Sequence, residues 1–351
     1  MAELPISARL LTGQMKNNTV NMARACAAFC GLLLAVANVC AEEQQAGLGW
    51  LKIVAFAGHQ TDFSGILVYQ YDNRVEASRI THLVEPDGEY EKLESLDGPK
   101  REIIRHHGQV WCYIDHKMVR MNDHPPQIRS RFADLLPEQL SLLNVNYHAM
   151  EGGVERVAGY NTQTVLFWPK DRLRYAHKIW VHTDTGLLLK ASVLGEKNQV
   201  VEQYAFTHLQ LGGGVDRSWI MREKAAGDQG TAPAMPPEKN AAEKIKAETP
   251  KNSDWIVDAL PPGFKKIKEI QRPMHGKHAP VTQIVFSDGL SAISIFIEAD
   301  DKDKDDVEGL YSRGAVSMYH KVVDKRLVTV VGEVPPRTLM QVFNSIRYNG
   351  K

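Results

Sequence analysis

The feature that most constrains this fold is a hydrophobic period of two that holds for about 145 residues. From residue 63 to residue 208 the chain is written in short runs of alternating apolar and polar side chains. Residues 63–71, 76–84, 89–95, 101–107 and 109–114 form one series. Residues 153–158, 163–168, 175–182, 187–194 and 200–208 form another. Between them stand turn sequences: Asp72-Asn73, Glu85-Pro86-Asp87-Gly88, Leu96-Asp97-Gly98-Pro99 and Asp184-Thr185-Gly186. Alternation over runs of this length is the signature of strands covered on one face. The connections are too short for parallel crossovers, which need a dozen residues or more. The expectation is an antiparallel meander of about ten strands, and a sheet that large must curl or close.

The period changes to 3.6 in three places. Residues 47–58 read as a helix so apolar all round that it should be covered on most sides. A second helical stretch interrupts the meander within residues 129–147, opening at Pro137 and carrying Leu140, Leu142, Leu143 and Val145. The third runs from 336 to 346, where Leu339, Val342, Phe343 and Ile346 lie on one face and prolines suit the entry. It follows expected strands at 264–271, 281–287, 292–298, 315–322 and 326–333. The fold class is therefore α+β: a large N-terminal curved antiparallel sheet with helices, and a smaller C-terminal α+β domain. Between them Pro233, Pro236, Pro237 and Pro250 mix with Ala, Gly, Lys and Glu, and no aromatic residue occurs from 223 to 252. That composition marks a linker. The expected boundaries are 42–212 for the first domain, 213–252 for the linker and 253–349 for the second domain.

Residues 1–41 read as an address instead of as structure. An apolar run from 25 to 39 is preceded by Lys16 and Arg24 and followed by Val39-Cys40-Ala41 and two glutamates. This is the pattern of a secretory signal peptide, with cleavage expected after Ala41 and a plausible start at Met15. The run is short for a membrane span. Acylation of Cys40 is the sharper alternative, but Val39 stands where a lipidation signal has a small residue. Cleavage would remove Arg9, Lys16, Arg24 and Glu3, turning a balance of 42 basic against 42 acidic residues into a formal charge of −2. It would also remove Cys26, Cys30 and Cys40 and leave Cys112 alone, so no intramolecular disulfide would form. Cys112 sits in the alternating run Val110-Trp111-Cys112-Tyr113-Ile114 and reads as a buried small hydrophobe. A charge near zero also excludes a simple basic nucleic-acid protein.

Chemistry-bearing motifs are scarce. No G-x-S-x-G elbow occurs, and Gly212-Gly213-Gly214 lacks the residues of a phosphate loop. His106 and His107 are neighbours on a strand and point to opposite faces. His275 and His278 have no obvious further ligands for a zinc site. The acidic run from Asp300 to Asp306 fails as an EF-hand, with Asp306 at the glycine position and Ser312 at the final glutamate. No cofactor, metal or catalytic group is expected, and the chain does not read as an enzyme. What remains is apolar surface. Leu67, Tyr69 and Tyr71; Val110 and Ile114; Leu166 and Trp168; Ile179; Leu187 and Leu189; and Tyr204 and Phe206 occupy alternate positions. On the concave side they would line a trough for an acyl chain or an extended peptide. The alternative, that helices fill the trough as core, stays open. The opposite parity is also apolar at Val165, Phe167 and Trp180.

Several motifs together resemble the RseB/MucB family. They are Phe63-Ser64-Gly65-Ile66-Leu67-Val68-Tyr69, Gly88-Glu89-Tyr90-Glu91-Lys92-Leu93 and Ser95-Leu96-Asp97-Gly98-Pro99-Lys100-Arg101-Glu102, then Thr185-Gly186-Leu187-Leu188-Leu189-Lys190. Pro261-Pro262-Gly263-Phe264, Tyr311-Ser312-Arg313-Gly314-Ala315 and Val330-Val331-Gly332-Glu333-Val334-Pro335-Pro336 complete the set. The resemblance spans nearly all of the chain after residue 41. It implies a periplasmic negative regulator of an envelope-stress sigma factor, with a first domain similar to the LolA/LolB half-barrel. The implied partner is the periplasmic domain of an RseA/MucA-type anti-sigma factor, which such proteins shield from proteolysis. The implied stress ligand is lipid, lipopolysaccharide or misfolded outer-membrane polypeptide. Arg313, Tyr311 and Phe296 are the candidate partner-binding residues of the second domain. Self-association is left open. A LolA/LolB-like carrier of lipids or lipoproteins is the alternative function.

Overall fold

The computed structural model describes residues 47, 49–106, 109–115, 117–120, 143–220, 253–272, 279–299 and 308–349. The expected signal peptide, most of the expected linker, His275, His278 and the acidic run at 300–306 lie outside them. Among the described residues no helix is long and apolar enough to cross a membrane.

The period-two region forms one 11-stranded antiparallel sheet. Its first series is β1 (Phe63–Tyr71), β2 (Arg74–Glu85), β3 (Gly88–Ser95), β4 (Arg101–His106), β5 (Gln109–Ile114) and β6 (Lys117–Arg120). Its second is β7 (Tyr147–Val157), β8 (Tyr160–Pro169), β9 (Ala176–His182), β10 (Leu188–Leu194) and β11 (Val200–Leu211). Each series is a meander in sequence order. The long-range pairing of β1 with β11 joins them, so the order is β6-β5-β4-β3-β2-β1-β11-β10-β9-β8-β7. β6 is absent from the sequence reading. The helical stretch expected up to residue 147 is helical at 143–146 in the part described, and Tyr147 already belongs to β7.

Helix α1 (residues 49–57) packs on this sheet. Leu51 and Val54 join Tyr147, Val165, Phe167, Ile179, Val181, Ala191 and Tyr204 in the main core. The expectation that α1 is covered on most sides fails, because Ile53 and Phe56 are 45% and 69% exposed. On β2–β5 the other face is covered by Val215, Trp219 and Ile220, which pack on Leu83, Tyr90 and Ile104.

The second sheet has six strands: β13 (Lys265–Arg272), β14 (Val281–Ser287), β15 (Ala292–Ala299), β16 (Gly309–Arg313), β17 (Val316–Val323) and β18 (Arg326–Gly332). They are ordered β13-β14-β15-β18-β17-β16. Helix α2 (Pro336–Asn344) begins just after Pro335 and buries Leu339, Val342 and Phe343 against Ile293, Ile295, Val328 and Val330. A two-stranded ribbon, β12 (Trp255–Val257) with β19 (Ile346–Tyr348), returns the end of the chain to the entry of this unit. In this unit β12, β16 and β19 are the strands period reading missed, and like β6 of the first sheet each has five residues or fewer.

Candidate functional site

The two sheets meet along a seam with three polar contacts and one apolar one. The apolar contact is Leu290, from the turn between β14 and β15, which joins the main core of the first sheet.

The first polar contact centres on Arg174, just before β9. Its side chain is buried, and its Nε lies 2.8 Å from Asp288 Oδ2. Its Nη1 donates to Asp171 at 2.6 Å, and its Nη2 to the Pro262 carbonyl. The guanidinium lies 5.3 Å from the Phe264 ring centre and 5.8 Å from that of Tyr147. Asp288 also accepts from the Leu290 and Ser291 N–H groups at 3.0 and 2.8 Å and from the Tyr147 hydroxyl at 3.2 Å. Burial lifts the Asp288 carboxyl above its ordinary range, against the pull of Arg174 and these donors. Close by, Gly263 sits at φ 83°, where an added Cβ would fall 2.0 Å from Asn146 Oδ1. The Pro-Pro-Gly-Phe sequence thus lets backbone approach the first sheet where no side chain fits.

The second contact seats the β16–β17 turn on the end of β1. Ala315 N–H donates to Glu202 Oε2 at 3.0 Å, and the Tyr69 hydroxyl donates to the same oxygen at 3.2 Å. Burial, reinforced by Glu202, raises the Tyr69 hydroxyl well above the usual tyrosine range. Arg313 Nη2 donates to the Tyr71 hydroxyl at 2.6 Å, and that hydroxyl donates to Glu76 at 2.6 Å. Gly314 N–H donates to Asp72 at 3.3 Å. Gly314 has φ 56°, and a Cβ there would meet Glu202 Oε2 at 2.6 Å. In the third contact Arg337, at the start of α2, pairs with Glu196 and the Arg172 carbonyl.

The trough positions do not form one lining. Leu67 and Tyr69 stand opposite Phe206 and Tyr204, and Tyr204 and Ile179 both stand opposite Ala191, giving one continuous row. Leu187, Leu189 and Phe206 cluster with Phe63 and Ile80. Tyr71 belongs to the seam. Val110 packs with Ile103 and Cys112, the latter a buried free thiol, whereas Ile114 is 44% exposed.

Leu166 and Trp168 do not share the face of Ile179. The register sets Val165 against Ile179 and Leu166 against Lys178, so the core places belong to Val165 and Phe167. Both parities of β8 are apolar, and alternation cannot choose between them. Ile179 and Tyr204 are buried in the core beneath α1, and Leu187, Leu189 and Phe206 are buried in the neighbouring cluster with Phe63 and Ile80, so these positions are packed core in this structure.

Among the partner candidates, Arg313 is part of the seam. Tyr311 is exposed and stacks on His320, with ring centres 5.6 Å apart. Phe296 is half-buried on the sheet face opposite Ile295. His106 stacks on Tyr90 at 3.7 Å and bonds the Glu89 carbonyl. Sequence reasoning missed Arg174, Asp288, Tyr147 and Glu202. Local pattern offers no signal that these residues meet.

A curved sheet tied to a smaller sheet through buried charge and backbone contacts defines a two-part α+β protein. Two family models match the chain, one described as the MucB/RseB N-terminal domain over residues 46–224 and one as the MucB/RseB C-terminal domain over residues 249–347. The chain belongs to the MucB/RseB family. The sigma factor AlgU regulatory protein MucB of Pseudomonas aeruginosa is 32% identical over 85% of this chain and 90% of the relative. The sigma-E factor regulatory protein RseB of Escherichia coli is 22% identical over 91% of this chain and 95% of its own. Among solved structures, MucB in complex with MucA(peri) superposes with a TM-score of 0.64 at 29% identity, covering 86% of this chain and 99% of that one.

Proposed function

We propose that the chain is a periplasmic negative regulator of an envelope-stress response of the sigma-E/AlgU type. Residues 42–212 and 253–349 act as two domains joined by the linker 213–252, whose first residues, Val215 to Ile220, stay packed on the first sheet. Together they bind the periplasmic region of an anti-sigma factor and shield it from proteolysis. Lipid, lipopolysaccharide or misfolded outer-membrane polypeptide releases that hold. The observation that carries the reading is the docked pair of sheets, supported by the likeness to MucB solved with MucA(peri).

The seam suggests how release works. A ligand relieves inhibition only if it binds the partner-free state better than the bound one. Tyr69 packs against the α1 core and also bonds Glu202, which receives the Ala315 N–H of the second sheet. An acyl chain must displace side chains from this packed row, and α1 is the element that can leave with the sheet still hydrogen-bonded. Moving α1 disturbs Tyr69 and with it the seam.

The test is the affinity of residues 42–351 for a synthetic periplasmic region of a MucA-type anti-sigma factor, with and without a short-chain acyl detergent. Protease protection of that region is read in parallel. The expected result is tight binding with protection, weakened by detergent. Absence of binding overturns the regulator, and unchanged affinity at saturating detergent overturns lipid sensing. Deleting residues 253–349 should abolish partner binding, whereas a lipid carrier would keep its transfer activity without them.

A further inference from the structure

A cavity of about 480 Å³ lies at the end of β7, β8 and β9 opposite to Tyr147 and Arg174. Its walls are the β7–β8 hairpin and the turn from β9 to β10. Arg156, Tyr160, Asn161, His182, Thr183 and Asp184 line it. The volume is that of a small-molecule site, which holds about 300–1,000 Å³. The lining is polar apart from the Tyr160 ring, whose hydroxyl is spent on the Leu209 carbonyl at 3.2 Å.

His182 is 6% exposed and held on two sides. Its ring meets that of Tyr160 edge to face, with centres 5.2 Å apart. Its Nδ1 accepts from the Thr185 N–H at 3.3 Å and lies 2.8 Å from the Thr185 hydroxyl. Nδ1 therefore carries the lone pair, and the proton of the neutral ring sits on Nε2. Among the described residues Nε2 has no hydrogen-bond partner, yet it is not sealed from solvent. A buried ring thus presents one fixed donor to the cavity. Arg156 presents more. Its Nη2 donates to the Gly159 carbonyl at 2.9 Å, which anchors the guanidinium, and its other N–H groups have no partner among the described residues. Asp184 accepts from the Thr183 hydroxyl at 3.0 Å. Arg156 and Asp184 thus line one cavity with no ion pair between them.

We propose that this cavity binds a small zwitterion of the amino-acid or short-peptide class, its carboxylate on Arg156 and His182 and its ammonium on Asp184. An arginine fork matches a carboxylate, and the Nε2–H of His182 adds a donor from a second direction. Phosphate fits less well, because Asp184 repels a dianion. A neutral sugar would leave both charges without a counterpart. Arg156 and Asp184 are exposed, so water weakens both contacts and the Kd is about 1 mM. The turn that carries Asp184 also packs on α1. A Cβ added at Gly186 would fall 2.2 Å from Ile53 Cγ2 and 3.3 Å from Ala57 Cβ. An occupied cavity steadies that turn and, through it, α1. Ligand here therefore opposes the movement of α1 that releases the partner, a consequence that rests on the release reading above, whereas the site itself does not.

The experiment titrates isotope-labelled residues 42–351 with glycine, glycylglycine and triglycine and follows the amide NMR shifts. The N-acetylated form of each, inorganic phosphate and maltose serve as comparisons. At least one of the three zwitterions should give saturable shifts at Asn161, Thr183 and Asp184, and should slow hydrogen exchange in α1. Its acetylated form, which lacks the ammonium, should bind about tenfold more weakly. Arg156→Gln should weaken the zwitterion about tenfold or more, and Asp184→Asn should remove the preference over the acetylated form. Both side chains are exposed, so the circular dichroism spectrum should not change. No saturable shift with any of the three up to about 50 mM, phosphate or maltose binding as tightly as the best of them, or unchanged binding by Arg156→Gln overturns the site. Saturable binding with unchanged exchange in α1 upholds the site and overturns its link to α1. Failure to bind an anti-sigma region, measured separately, bears on the regulator alone.

Discussion

Arg174 carries its charge to a place where almost no water reaches it, with a side chain only 1% exposed facing Asp288 at 0%. Burying two ions costs several kcal/mol each, repaid only when every donor and acceptor is engaged. Here Asp171 and the Pro262 carbonyl accept from the guanidinium and two aromatic rings flank it, while Nε lies 2.8 Å from Asp288 without an aligned hydrogen bond. Arg174→Met should destabilise the protein by about 3–5 kcal/mol, read as a lower urea midpoint. It leaves Asp288 buried and uncompensated. Adding Asp288→Asn should recover much of the loss, because the stranded charge is then gone while an oxygen remains for the Leu290 and Ser291 N–H groups; an additive double variant would show that the two residues act separately. Gly314→Ala tests the other seam contact. It combines a positive φ with a Cβ too close to Glu202, and should cost about 1–3 kcal/mol. Arg313 is different, since its side chain is 65% exposed. Arg313→Ala should change global stability by no more than about 1 kcal/mol. Its effect should appear as faster hydrogen exchange at Gly314 and Ala315.

At the scale of elements, α1 is the least enclosed part of the first core. Its inner face is buried at Leu51 and Val54, while Ile53 and Phe56 face outward. Leu51→Ala should cost about 2–5 kcal/mol in urea unfolding, because it opens a cavity against Tyr147 and Val165. Phe56→Ser should stay within about 0.5 kcal/mol, since the ring is already largely in water. A large loss from Phe56→Ser would mean that another segment covers this face. The strands themselves were legible from residues alone. Seven-residue and longer runs between strong turns, such as 63–71 and 281–287, match the observed strands. The short ones escaped because three to five residues hold too few periods to count.

Across the whole molecule, two cores with their own apolar clusters are coupled through Leu290 and the seam. If that coupling makes unfolding cooperative, Arg174→Met should split one urea transition into two. A single shifted transition would show that apolar contact suffices to hold the sheets together.

Alternation and turn chemistry, which are local, determined the strand series, the α+β class and the place of α2. They could not decide which face of β8 is core, because Val165-Leu166-Phe167-Trp168 is apolar on both parities. Only the pairing of Val165 with Ile179 settles it. The meeting of Arg174 with Asp288, and of Tyr69 and Tyr71 with the Arg313 turn, was likewise decided by tertiary structure alone. A residue's period reports whether it is buried. Which distant side chain shares its burial depends on how two finished sheets fit together.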